Sequence, residues 1–188
     1  MKQAFRRIPT LLLTLASPTL AYPEGAPAGT TGASGEPHCG QCHFGAPPVQ
    51  GGITLTGLVT SPQPDRSYQL HLSLGDSQAR IAGFQLSIRG PDGAGIGTLV
   101  PLDADLVVDR AGTVDYLGHA PARRLNSQHG TAWRFRWHTP QSLPASIAIH
   151  VAAVAGNDDR SPLGDRVYLL TKRGTVDDEP NQNPTLRQ

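Results

Sequence analysis

Methionine occurs once in the 188 residues, at position 1, and lysine twice, at positions 2 and 172. With no internal methionine, no thioether is on hand as a metal ligand. With a single lysine beyond residue 2, a lysine-ringed docking face cannot be built, and the near-neutral balance of 16 basic against 15 acidic residues speaks against nucleic acid as a partner. Cysteine occurs twice, at positions 39 and 42, which excludes a disulfide-stapled scaffold. No apolar run approaches the roughly 20 residues a bilayer needs, so the mature chain is expected to have no transmembrane span. Gly-x-Ser-x-Gly, phosphate-loop and His-Glu-x-x-His patterns are all missing, and the chain reads as a non-enzyme.

What is abundant is glycine, 21 residues, and proline, 17. They separate many short apolar runs, a pattern that predicts an all-β chain. At the start, Lys2, Arg6 and Arg7 precede the short apolar stretch Ile8 to Leu15, and Thr19-Leu20-Ala21 offers small residues at −3 and −1 of a cleavage site. Residues 1–21 therefore read as a signal peptide cleaved after Ala21, which makes the protein periplasmic or secreted. The leader removes three positive charges and no acid, taking the formal charge from +1 to −2. Residues 22–50 read as a Gly/Pro-rich linker and attachment segment, 51–174 as one domain, and 175–188 as a disordered polar tail.

The chemistry concentrates in Cys39-Gly40-Gln41-Cys42-His43, a Cys-x-x-Cys-His pattern. This spacing is the attachment signature of a c-type haem. The thiols of Cys39 and Cys42 add to the vinyl groups as thioethers, and His43 is thereby held under the iron as proximal ligand. A zinc site using His38 and His43 as further ligands would crowd four donors into six residues, unlike the usual spacing of paired knuckles. A redox dithiol is expected at a helix N-terminus beside a βαβ unit, whereas Gly and Pro flank this pair. Gly45-Ala46-Pro47-Pro48 leaves room for little more than one helical turn. Export and haem attachment agree, because bacterial haem c is attached outside the cytoplasmic membrane.

From Gly51 the apolar period is two. Tyr68, Leu70, Leu72 and Leu74 share one face, as do Phe84, Leu86 and Ile88. Trp133, Phe135 and Trp137 form the strongest inward stripe, against Arg134, Arg136 and His138, and Ile147, Ile149 and Val151 form another. About eight short strands without a convincing helix predict an antiparallel β-sandwich with the large aromatics in its core. Asn157-Asp158-Asp159 with Asp165 lacks calcium-loop spacing and reads as a polar turn.

Several segments together resemble bacterial Reeler-type proteins, also called choice-of-anchor V proteins. They are Thr31 to Glu36, the Cys-x-x-Cys-His-x-Gly run, Gly83-Phe84-Gln85-Leu86, Tyr116-Leu117-Gly118-His119, Trp133 to Pro140, and Gly156-Asn157-Asp158 with Gly164 to Tyr168. The likeness spans roughly residues 31 to 170 and implies an exported Reeler-like (immunoglobulin-like) sandwich preceded by one haem-binding motif.

The opposite face of the iron needs a second ligand or stays open. His71, His138 and His150 fall on polar strand faces, and His38 is too close in sequence to reach around the ring. His119 ends an apolar strand beside Ala120-Pro121 and occupies the Tyr-x-x-His position of the resemblance, so it is the expected distal ligand. His129, in a Gln-His-Gly loop, is the alternative. The leading expectation is a monohaem c-type cytochrome, with one covalent haem c and bis-histidine ligation, passing single electrons to an envelope or extracellular redox protein. A Reeler-like binding or adhesion module with a structural or sensory haem is the other reading. A homo-oligomer stays open.

Overall fold

The computed structural model describes residues 25–175. The leader read at residues 1–21 and the tail beyond residue 175 lie outside the described residues. Eleven strands follow in chain order: β1 (Phe44–Gly45), β2 (Ile53–Thr56), β3 (Ser67–Gly75), β4 (Ile81–Arg89), β5 (Thr98–Pro101), β6 (Leu106–Ala111), β7 (Val114–His119), β8 (Arg123–Arg124), β9 (Gly130–His138), β10 (Ser146–Gly156) and β11 (Leu163–Thr175). The one helical element among the described residues is a 3₁₀ turn at Cys39–Gln41, and no described helix is long and apolar enough to cross a membrane.

The strands form two sheets. One runs β1-β11-β10-β4-β7-β6, with β8 also on β4, and the other runs β2-β3-β9-β5. This is the predicted all-β sandwich, with two refinements. Its longest strands, β10 and β11, have 11 and 13 residues rather than being short. The β1–β11 pair is parallel, with Phe44 opposite Leu163, whereas the longer pairs are antiparallel.

Side-chain alternation explains the layering. In β9, Trp133, Phe135 and Trp137 are each 0% exposed, while Arg134 and His138 face outward. Leu70, Leu72 and Leu74 of β3 point the same way, and Phe84, Leu86 and Ile88 of β4 with Ile149, Val151 and Ala153 of β10 meet them from the other sheet. The Phe84 and Trp133 rings pack tilted, with centroids 4.7 Å apart, a favourable arrangement for aromatic quadrupoles.

In β4 and β10 the alternation is lost, because nearly every residue is buried. The outward positions there are small or polar: Gly83, Gln85 and Ser87 on β4, Ala148, Ala152 and Val154 on β10. Such a face is shaped to be covered, and the segment before β1 covers it.

Phe135→Ala removes a fully buried ring between the two sheets. We expect a loss of about 3–5 kcal/mol, read as a lower urea midpoint with an unchanged slope.

Candidate functional site

The covering segment, read from the sequence as a Gly/Pro-rich linker, is hydrogen-bonded into the fold. Gln85 is its anchor: the Thr30 backbone N–H donates to Gln85 Oε1 at 2.7 Å, and Gln85 Nε2 donates to the carbonyls of Ala26 and Pro27 at 3.1 and 2.9 Å. Thr31, 1% exposed, reaches Ser87 Oγ at 3.3 Å and donates to Glu36 Oε2 at 2.7 Å. Glu36 in turn accepts from Tyr116 Oη at 2.5 Å and pairs with Arg89. Arg89 also donates to Tyr116 Oη at 2.8 Å, closing the cluster. Burial alone would raise the Glu36 carboxyl, but the hydrogen bonds from Tyr116, Thr31 and Arg89 overrule it and hold the group below its usual range.

This strap delivers the Cys-x-x-Cys-His run to the sheet. Its turn is tight, with Gly32 N–H donating to the Pro37 carbonyl at 2.9 Å and Thr31 bridging His38. His38 Nδ1 accepts from Gly40 N–H at 3.0 Å and caps the 3₁₀ turn. Gly40 is required there, because a Cβ would sit 2.8 Å from the His38 ring. His38 is thus occupied locally. Cys39 opens the 3₁₀ turn half-buried and Cys42 caps its end exposed, and the backbone closes with Cys42 and His43 N–H groups donating to the Cys39 carbonyl at 3.1 and 2.9 Å.

Neither cysteine is in a disulfide. Burial pushes the Cys39 thiol up to about 12. A dithiol built for exchange needs the opposite shift, and no group of three or more His, Cys, Asp or Glu suited to holding a bare metal ion occurs among the described residues. Two free thiols three residues apart, with an imidazole directly following, fit covalent haem attachment.

His43 turns to β11. Its Nδ1 lies 2.6 Å from Asp165 Oδ2, leaving Nε2 for a metal. Asp165 is buried, and its other oxygen, Oδ1, has no hydrogen-bond partner. The carboxylate leans over Gly156 of β10, where an added Cβ would lie 3.2 Å from Oδ1. The sequence grouped Asp165 with the 157–159 turn, but the structure gives it to His43. A glycine opposite an acid at a strand end was the available signal.

His119 is the last residue of β7 and only 8% exposed. Its ring crosses to the outer face of β4 and lies over Gly83, where any Cβ would collide with it. Nδ1 is 2.9 Å from Phe84 N and 3.1 Å from Phe84 O. Burial lowers its proton affinity, the Phe84 backbone and Asp105 pull the other way, and a charge on His43 adds to the lowering. The ring is therefore held neutral, the form that binds metals. By register, Gly83 on β4 lines up with Val154 and Val167, so Asp165 on β11 is two strands across and two residues along from it, roughly 12 Å, on the same outer face. A cavity of about 250 Å³ separates His119 from the strap at Gly25–Pro27. His129 instead sits exposed, with φ 58°, on the turn entering β9 of the other sheet.

Comparison with solved structures identifies the architecture. The human F-spondin reeler domain (fragment 1) superposes over 71% of this chain and 95% of its own, with TM-score 0.51 and 18% identity. The fold resembles a Reeler domain. A second structure, the Reelin-N domain of F-spondin, gives TM-score 0.51 and 17% identity over 71% of this chain and 93% of its own. No family model and no curated protein matches the sequence.

Two expectations follow. Glu36→Gln weakens strap docking by about 1.5–3 kcal/mol, the range for a hydrogen bond to a charged group. Because Glu36 is held below its ordinary 4.5, its contribution is full above that pH and is lost as pH falls through the lower folded value. Thermal midpoints of the wild type should therefore drop below pH 4.5 more steeply than those of the variant.

Proposed function

We propose that this chain is an exported Reeler-fold binding module that carries one covalently attached haem c on its strap. The fold supports the first half: two packed sheets, antiparallel but for the short β1–β11 pair, present open surface for recognition. The observation that carries the second is the geometry of the clasp. Cys39 and Cys42 open and close a capped 3₁₀ turn, and Asp165 holds His43 Nδ1, which leaves Nε2 for a metal. Phe44, Val49 and Leu163 flank it as exposed apolar side chains, Leu163 at 63%, the kind of surface a porphyrin face would cover.

In this reading Cys39 and Cys42 would hold the group as thioethers and His43 as the proximal ligand. Bound there, it would supply one-electron chemistry or a ligand-sensitive iron. His119 is the neutral imidazole on the same face that would serve as distal ligand, and Gly83 keeps its place open.

The second reading is one-electron transfer to an envelope or extracellular redox protein, favoured by the exposure of Cys42 and the apolar rim around His43. Bis-histidine ligation by His43 and His119 leaves no open position, so it favours this reading, whereas an open or displaceable site favours a sensory haem.

A pyridine haemochrome assay on the exported full chain should give one haem per chain, and Cys39→Ser with Cys42→Ser should give none; a colourless wild type contradicts the proposal. Carbon monoxide binding by the reduced protein separates the roles. Indifference indicates electron transfer through two imidazoles, a shift that persists in His119→Ala indicates an open site, and a shift appearing only in His119→Ala identifies His119 as the distal ligand.

A further inference from the structure

A histidine that ligates a metal through one ring nitrogen is oriented by what its other nitrogen touches, and that partner also sets how strongly the ring donates. For His43 the partner is a carboxylate, Asp165 Oδ2 at 2.6 Å. Three observations make this contact a built one. Asp165 is buried at the head of β11, where Gly45 of β1 pairs with it just after a shift of register. It packs tightly over Gly156, where an added Cβ would lie 3.2 Å from Oδ1. Among the described residues no arginine or lysine pairs with it, and Oδ1 has no partner, so its one polar contact is His43. The neighbouring Arg166 is spent elsewhere, on Asp76 and Gln78.

We propose that Asp165 is the positioning residue of His43: it fixes the ring with Nδ1 protonated and Nε2 outward, and its uncompensated charge lowers the reduction potential of a haem attached at Cys39 and Cys42. The physical reason is basicity. A neutral carbonyl at Nδ1 would orient the ring equally well, whereas a buried carboxylate also draws the Nδ1 proton toward itself and leaves the imidazole a stronger donor, which favours the oxidised iron. Asp165 has no contact with the thiols, so it acts only through His43.

The effect on potential rests on the haem reading above, and the test has one arm that does not. In the full chain with Cys39→Ser and Cys42→Ser, the imidazole nitrogen spectrum should show His43 protonated at Nδ1 in a strong hydrogen bond, and adding Asp165→Asn should weaken that signal. His43 as the Nε2–H tautomer, or a spectrum indifferent to Asp165→Asn, overturns the positioning role. In the exported haem-loaded protein, the haem-bearing fraction of Asp165→Asn should show a raised midpoint potential. At fixed ambient potential the oxidised-to-reduced ratio should fall about tenfold, or about 59 mV for one electron. An unchanged or lowered midpoint with haem in place overturns the charge effect while leaving the haem reading intact. A wild type without haem overturns that reading, and the charge effect with it, while the first arm still decides the positioning role. If Asp165→Asn is not exported, Asp165→Ser removes the same charge in less space and serves the same comparison.

Discussion

The structure depends on the docking of residues 25–38 onto the outer face of the larger sheet. A β-sandwich buries its inner faces without help, but the outer face of β4 and β10 carries Gly83, Gln85, Ser87, Ala148 and Ala152, small or polar side chains that leave this face to be covered by another segment. The strap covers them and satisfies Gln85, Ser87 and Arg89 through its own carbonyls, Thr31 and Glu36. Hydrogen bonds to charged groups contribute about 1.5–3 kcal/mol each, so the Glu36 cluster alone can keep a Gly-rich segment from behaving as a free linker. Everything chemical follows from this docking, because the strap ends at Cys39.

The two glycines of that face do complementary work. Gly83 admits the His119 ring, which occupies the space a Cβ would take, and Gly156 gives the Asp165 carboxylate a close fit, with an added Cβ 3.2 Å from Oδ1. Two strands therefore hold two imidazoles on one face, His43 through Asp165 and His119 through the Phe84 backbone. A buried acid costs free energy unless it is partnered. Its persistence opposite His43 is the reason to see a site there rather than a loop that happens to contain cysteines.

Much of this was legible in the sequence, for physical reasons that differ residue by residue. The stripe of Trp133, Phe135 and Trp137 announces a strand because alternation is a direct image of a half-buried pleat. Alternation fails where both faces are covered, so the burial of β4 and β10 had to be read from small outward residues instead. The partner of Thr30 lies 55 positions away and that of His43 lies 122. No local pattern encodes either contact, which is why the strap read as a linker and Asp165 as part of a turn. The parallel β1–β11 pair was hidden likewise, since two residues carry no period.

The docked strap is most directly tested by amide hydrogen exchange at Thr30, Gly32 and Glu36, whose N–H groups donate to Gln85 Oε1, the Pro37 carbonyl and the Ala33 carbonyl. The account predicts that these amides are protected by orders of magnitude over an unstructured peptide, and that Glu36→Gln lowers the protection at all three together. Exchange at peptide rates in the wild type, with the sandwich amides still protected, would show a free tether and contradict it.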